Sequence, residues 1–564
     1  VLTEVWSQVL GVERVGVHDN FFDLGGDSIL AIRLRASSHD AGQDFELSAL
    51  FLAPTIASLA LKTRPAAAPD PVAGPFDLIC PADRQLLPVG LSAAYPATML
   101  QAGMLAISSL EYGSATYHDV FAYTVCLPWQ PDAMARALHQ LTVEHDVLRT
   151  SFDFVTFSTP MQLVHETAAI PLTEADLRHL PPADQNQACH DWIQQEKHRT
   201  IPASQVPLLR IAVHHLASDR FRLGLSFHHA ILDGWSVATA ITELVQHYRR
   251  QLEGRTSPTA EHVSYRHYVQ LEQEALDDPQ TRAFWAEQTR KANPALLPGP
   301  LPDRKPAAGT VQRQLPHELV VRTRALAAQS GVPWRTVLLA ACFHTMLIVT
   351  GEPDVTVGMV SHGRSERAGG DRTLGLFLNT LPLTQHLAGG TWRELIAQTH
   401  ASEIAAFTHR RFPLAEMIRM RGGDRLFHTA FNFTDFHAYK QLRHNDIIVV
   451  GAGAFEQTDI PLMFSVGPDD QRTTWIVGLH GDGDTVDTSA ADLAADTYLR
   501  VLEAMAQVPG SRYDRLVLGE AAVVPALPAS SAACLHELFE EWVGRVPGAV
   551  AVVGAGGVLT YGEL

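Results

Sequence analysis

The chain has 564 residues, 46% hydrophobic and 18% charged, a balance that suits about three folded domains rather than a disordered chain. Its formal net charge of −18 argues against a nucleic-acid partner, which needs clustered Lys and Arg. No apolar run reaches spanning length, since the most apolar stretch, Val337 to Val349, is short and contains His344, so no membrane partner is expected. Five cysteines without CxxC spacing (Cys80, Cys126, Cys189, Cys342, Cys534) point to reduced thiols, no zinc site and a cytoplasmic setting. No signal peptide is read at the start.

Residues 1 to 64 predict a small helical domain. Leu2, Val5, Trp6, Val9 and Leu10 form a helical stripe,. Then comes Asp19-Asn20-Phe21-Phe22-Asp23-Leu24-Gly25-Gly26-Asp27-Ser28-Ile29-Leu30. Its two glycines permit a tight turn. Ser28 opens a helix with apolar Ile29, Leu30, Ile32 and Leu34. Ser28 is either an N-cap or the carrier of a phosphodiester, which a helix N-terminus favours. This run resembles the (D)xFFxLGGxS motif of peptidyl carrier proteins. The resemblance implies a four-helix bundle in which a phosphopantetheinyl transferase attaches 4′-phosphopantetheine to Ser28. The arm's thiol then holds an acyl or aminoacyl group supplied by an upstream adenylation domain. Residues 65 to 86 read as a linker, whose Pro/Ala-rich part (65 to 75) gives an extended spacer,.

From 87 to 516 strands and helices alternate. Ala94-Tyr95-Pro96 through Leu105 reads on its own as a buried helix. Met134, Leu138 and Leu141 lead into Glu144-His145-Asp146-Val147-Leu148-Arg149-Thr150-Ser151-Phe152, where Arg149 is expected to be a structural ion-pair partner. A hairpin follows, with strands Leu208 to His215 and Phe221 to His228. Phe221, Leu223, Leu225 and Phe227 share one parity, and Val237, Ile241, Leu244, Val245 and Tyr248 recur at helical spacing,. So His228 and His229 end a strand, and Asp233-Gly234 turn into a helix. A structural turn with a buried histidine, a metal site and acid/base chemistry all compete here. Adjacent strand residues face opposite ways, which disfavours one ion shared by His228 and His229, and no metal is expected. Histidine is suited to handling a proton near neutral pH. A Pro-rich crossing, 293 to 306, divides two lobes. The second has a helix from Pro333, a strand Val355 to Val360, then Ser361-His362-Gly363-Arg364, Leu374 to Thr380 and Phe427 to Phe433.

His228-His229-Ala230-Ile231-Leu232-Asp233-Gly234 resembles the HHxxxDG signature of condensation domains from nonribosomal peptide synthetases. Tyr95 to Leu105, Glu144 to Phe152, Leu374 to Thr380 and Phe427 to Phe433 resemble further motifs of that family, in its order. The resemblance implies an α/β fold of two chloramphenicol-acetyltransferase-like lobes in a V, an N-lobe of about 87 to 293 and a C-lobe of about 307 to 516, with a tunnel between them. It implies a catalytic His229 facing the tunnel and a backbone N–H near Gly234 as oxyanion donor. His228 and Asp233 are then structural, Asp233 pairing with Arg364. The implied reaction is amide formation, in which an aminoacyl amine on a downstream carrier attacks the thioester on the Ser28 arm, or on the same arm of another copy. Three roles stay open for His229: taking the proton, orienting the amine, or stabilising the tetrahedral intermediate.

Residues 517 to 564 read as a linker, then Leu535 to Phe539 and Leu559 to Leu564, which resemble the start of an adenylation domain. They hold no phosphate-binding loop and so cannot activate an amino acid. Asp27 in the carrier motif resembles carriers that feed epimerases, so an epimerisation or dual epimerisation/condensation domain is an alternative, as is a non-catalytic docking platform for tailoring enzymes. The Tyr95 to Leu105 motif resembles domains taking D-configured donors, yet a carrier stands directly upstream. An achiral donor residue such as glycine reconciles the two.

Overall fold

The computed structural model describes residues 1–68, 71–110, 116–255, 262–295, 309–435, 460–469, 473–482, 486, 488–515, 550–554 and 557–560. Two units divide the chain, 1–514 and 515–564. In the second, Val550–Gly554 and Gly557–Thr560 pair antiparallel. Leu535 to Phe539, the linker before it and most of the crossing at 293 to 306 lie outside the described residues.

The first 64 residues contain four helices, α1 (Leu2–Leu10), α2 (Ser28–Asp40), α3 (Leu47–Leu52) and α4 (Ile56–Leu59). The face of α1 with Leu2, Val5, Trp6 and Val9 is buried, and the helix ends on Gly11 at φ 68°, a left-handed stop that glycine accepts readily. Trp6 packs edge-on against Phe21, centroids 5.2 Å apart, which pins the loop before α2 to the core. Gly25 turns that loop at φ 94°, where a side chain is strained. Asp27 caps α2, its Oδ1 accepting the Ile29 and Leu30 amides at 2.8 Å each. The capping role considered for Ser28 therefore belongs to Asp27, and Ser28 is the first helical residue.

Two sheets follow. β1 (Leu91–Pro96), β3 (Thr150–Asp153) and β4 (Met161–His165) pair in the order β1-β4-β3. The other sheet comprises β2 (His118–Val125), β5 (Leu172–Asp176), β6 (Leu209–Ala217) and β7 (Arg220–His228), in the order β2-β7-β6-β5. Around them lie α5 (Met99–Leu110), α6 (Pro131–Glu144), α7 (Pro182–Lys197), α8 (Gly234–Leu252), α9 (Arg266–Asp277) and α10 (Pro279–Lys291). The stretch Ala94 to Leu105, read as one helix, is split between β1 and α5. Pro96 explains the break, because it disfavours the helical region at Tyr95. The helix restarts on a reciprocal cap: Thr98 Oγ1 accepts the Gln101 amide at 3.2 Å and Gln101 Oε1 accepts the Thr98 amide at 3.0 Å,. Arg149 binds Asp146 at 2.9 Å and the His165 carbonyl at 2.6 Å, joining the end of α6 to β4.

The second lobe is built on β8 (Gly309–Leu315), β9 (Asp354–His362), β10 (Leu378–His386), β11 (Thr429–Phe433), β12 (Leu462–Pro468) and β13 (Trp475–Gly481), ordered β8-β13-β12-β11-β9-β10. Its helices are α11 (His317–Ser330), α12 (Trp334–Thr350), α13 (Trp392–Thr408), α14 (Leu414–Met420) and α15 (Thr488–Gln507). Among the described residues no single helix is long and apolar enough to cross a membrane, and α11 and α12 pass that test only as a pair bent by 105°. The buried face of α12 is spent inside the lobe, where the Tyr498 hydroxyl of α15 donates to the Leu338 carbonyl at 3.0 Å.

The lobes are joined by the segment ahead of β10. The Asp233 amide and Ser236 Oγ donate to the Gly375 carbonyl at 3.0 and 2.7 Å, and the Tyr265 hydroxyl donates to the Leu376 carbonyl at 2.6 Å. The helices of the first 64 residues pack on the same junction. Arg33 binds Asp371 at 2.6 Å, Arg35 binds Glu366, and the Phe51 ring lies 5.0 Å from Phe407. Trp235 and Phe407 are thereby continuous with the apolar core of the first domain.

Candidate active site between the lobes

β7 runs antiparallel to β2, with His118 opposite His228 and Asp119 opposite Phe227. Strand alternation sends Phe227 and Asp119 to one face and His228 and His118 to the other. After His228 the backbone enters a short turn, His229–Ile231. The His229 amide donates to the Tyr117 carbonyl at 2.8 Å. Tyr117 has φ 61°, a left-handed value found at no other non-glycine residue among those described. A strained residue is thus held where it anchors the turn.

The two histidines do different things. His228 Nδ1 accepts the Ala230 amide at 3.1 Å and Nε2 lies 3.0 Å from Ser108 Oγ. Burial, with the neighbouring imidazoles of His229 and His118, pushes it down to about 3, so it is a neutral bracket for the turn. His229 faces a cavity of about 360 Å³, a size that takes a small ligand. Its Nδ1 is 2.8 Å from Asp119 Oδ2.

Asp233 caps α8, accepting the Ser236 amide at 2.7 Å. Both of its oxygens also contact the Arg364 guanidinium, at 2.8 and 3.1 Å, and Oδ2 accepts the Phe377 amide at 3.2 Å. Arg364 is fully buried, donates to the Thr373 carbonyl at 2.6 Å, and lies 4.1 Å over the Phe377 ring. This pair clamps the N-terminus of α8 to the second lobe. Gly234, the first residue of α8, lines the cavity, and a first-turn N–H has no partner within its helix.

Ser28 lines this same cavity, beside Asp27 and Ile29. Ser28 and His229 therefore open on one continuous space within one chain. Arg335 stands in the wall as well and is held at 3.0 Å by Glu403. A phosphodiester on Ser28 would sit at the N-terminus of α2, whose dipole favours an anion although Asp27 already takes the Ile29 and Leu30 amides,.

Sequence reasoning missed several wall residues. Asp119 precedes His229 by more than a hundred positions, and its one sequence signal is an acid ahead of the mostly apolar run of β2. His362 enters from β9. Its ring nitrogens have no hydrogen-bond partner among the described residues, and burial, then the cations Arg410 and Arg364, keep it neutral. Elsewhere, ligand atoms of Glu144, His145, Glu243 and His262 lie within 4.8 Å of one another, a spacing a metal can use. Glu243 is already bound to His145 at 2.7 Å and Arg372 at 2.8 Å, and Glu144 to His247 at 3.0 Å. A hydrogen-bonded network accounts for those charges.

Residues 1–61 match the family model of the phosphopantetheine attachment site, and residues 92–473 that of the condensation domain. The chain is 34% identical over 546 residues to the AMB antimetabolite synthetase AmbE of Pseudomonas aeruginosa, covering 90% of this chain and 26% of that protein. It is 30% identical over 430 residues to tyrocidine synthase 3 of Brevibacillus parabrevis, covering 74% of this chain and 6% of the synthase. The chain thus spans about a quarter or less of these relatives. Among solved structures, the first condensation domain of the calcium-dependent antibiotic synthetase in complex with a substrate analogue has the same fold, with TM-score 0.61, 20% identity, and coverage of 76% of this chain and 100% of that one. The four-domain nonribosomal peptide synthetase AB3403, in its holo form bound to AMP and glycine, aligns with TM-score 0.65 at 16% identity, covering 84% of this chain and 38% of that one.

Proposed function

The chain belongs to the condensation-domain family and carries a phosphopantetheine attachment domain ahead of it, and from this premise we propose that it joins the acyl group on its own Ser28 to an aminoacyl amine brought by a downstream carrier. The observation that carries this reading is the single cavity onto which both Ser28 and His229 open. 4′-Phosphopantetheine on Ser28 supplies a flexible thiol that presents the donor as a thioester. The remaining work falls to residues of this chain.

An α-amine has a reference pKa near ~8, so a fair fraction is neutral at cellular pH and a strong base is not essential. Holding both tethered substrates in the cavity raises their effective concentration. His229 takes a proton from the amine as the C–N bond forms and returns it to the departing sulfur as the C–S bond breaks. Gly234 N–H, at the positive end of α8, donates to the carbonyl oxygen as charge develops there. His228, Asp233 and Arg364 hold these two groups in place. Asp27, whose presence favours an epimerisation reading, is accounted for here by its cap on α2.

Around this step the reading places a phosphopantetheinyl transferase and an upstream adenylation domain that prepare Ser28, and a downstream module whose adenylation domain begins within 517 to 564. The assay is single-turnover transfer. Ser28 is loaded with peptides ending in Gly, an L- or a D-residue, and an aminoacylated downstream carrier is supplied. Mass spectrometry of the acceptor should show the lengthened peptide, fastest from the Gly-ended donor. A loaded donor that never moves to the acceptor contradicts the proposed activity, and strong preference for an L-ended donor contradicts the achiral-donor reading.

A further inference from the structure

We infer that the Asp371 and Glu366 carboxylates form a charge-coded seat that admits this chain's carrier by Arg33 and Arg35 of α2, and so decide which carrier delivers the donor. This rests on the proposed delivery of the acyl group by Ser28.

The seat joins two domains that are far apart in sequence. Arg33 Nε and Nη2 both donate to Asp371 Oδ2, at 2.9 and 2.6 Å. Among the described residues Arg33 is the only ion-pair partner of Asp371. The Asp371 main chain is fixed independently, its carbonyl accepting the Trp235 indole N–H at 2.7 Å. Glu366 is held from its own domain through Oε1, which accepts from Arg410 and Arg411, and it offers Oε2 to Arg35. On the carrier side Arg35 is steadied by Asp44 at 3.1 Å. Each acid is thus preset by its own domain and completed by one guanidinium from α2.

These pairs are selective. Exposed ion pairs contribute little, but the two carboxylate side chains here are only 6% and 11% exposed, where salt screens them less. Residues 1–64 carry eight acids against five Lys and Arg, so the carrier as a whole is not drawn to acids and the match is local. Arg33 and Arg35 are the only Lys or Arg of α2, the helix that Ser28 opens. The apolar part of the contact, Phe51 on Phe407, is non-directional and accepts any carrier of similar shape. Complementary charge discriminates, because a like charge at the same point is repelled. A carrier with neutral or acidic residues five and seven positions after its modified serine is therefore turned away.

The test uses the full chain, its Ser28 loaded with donor to completion as checked by intact mass. Arg33→Glu and Asp371→Arg should each lower the single-turnover transfer rate about 10-fold or more. The two together should return it to within about threefold of wild type, because the pair reforms with its signs exchanged. Hydrogen exchange over residues 28–40 and 364–374 follows seating without the reaction. It should be faster in either single variant and return to the wild-type rate in the exchanged pair. Where Asp371→Arg does not fold, Arg33→Gln, Asp371→Asn and their combination replace it, and the combination should be no slower than the slower single variant. Single reversals that transfer and exchange like wild type overturn the inference. So does a folded exchanged pair no better than its worse single variant, or strict additivity in the neutral set. If wild type never transfers but hydrogen exchange follows the charge pattern, the proposed reaction fails while the seat stands.

Discussion

Replacing His229 with alanine is expected to lower amide formation about 10²- to 10⁴-fold, the usual contribution of a positioned acid/base group, while phosphopantetheinylation and acyl loading of Ser28 proceed normally. The split follows from where the two residues sit. Ser28 opens α2 in the carrier domain, whereas His229 follows β7 and lines the shared cavity from the condensation domain. Loading requires the carrier fold, and only transfer requires the imidazole. The structural cost of the change should be small. The turn is anchored by the His229 main chain and by His228, and alanine keeps the amide that reaches Tyr117. Intact-mass measurement of both carriers over time separates the two steps. Wild-type transfer by His229→Ala would remove the imidazole from the mechanism and leave proximity alone to account for the rate.

The second large effect is on stability. Asp233→Ala leaves the Arg364 guanidinium fully buried without its carboxylate, and breaking a buried pair by removing one partner typically costs about 3–5 kcal/mol. The loss reaches further than the pair. Asp233 also caps α8 and accepts the Phe377 amide, so the helix cap and two links across the lobe junction go together. A fall of several degrees in melting temperature and lower soluble yield are expected. Residues in direct contact do not contribute additively. Asp233→Ala combined with Arg364→Ala should therefore cost less than the two single losses added together. Strict additivity, or an unchanged melting temperature for Asp233→Ala, would show that the clamp contributes little.

The positions that local pattern reveals are those whose partners are near in sequence. Alternation along Phe221 to Phe227 followed by a 3.6-residue period makes the strand-to-helix turn at His229 readable, and the two-glycine loop before Ser28 makes the second reactive position readable. Asp119 was not readable in this way, because its tie to His229 exists only once β2 and β7 are in register. The same holds for the carrier seat: Arg33 and Arg35 look like solvent-facing charges on α2 until Asp371 and Glu366 arrive from more than three hundred residues away. Arg364 entered by family resemblance, not by spacing. The division of Ala94 to Leu105 into strand and helix was local, and it was missed because apolar residues on both sides of Pro96 outweighed the proline's own geometry.

The central claim is that Ser28 serves the His229 of its own chain. The most direct test mixes two defective chains, Ser28→Ala and His229→Ala, both treated with phosphopantetheinyl transferase and donor, together with the loaded acceptor carrier. Delivery within one chain predicts that the mixture transfers no faster than His229→Ala alone, because the only loaded carrier is seated against a site without its imidazole. Recovery of transfer on mixing, at a rate rising with the concentration of the Ser28→Ala chain, would show that the donor arm reaches a second molecule's site and would contradict the account.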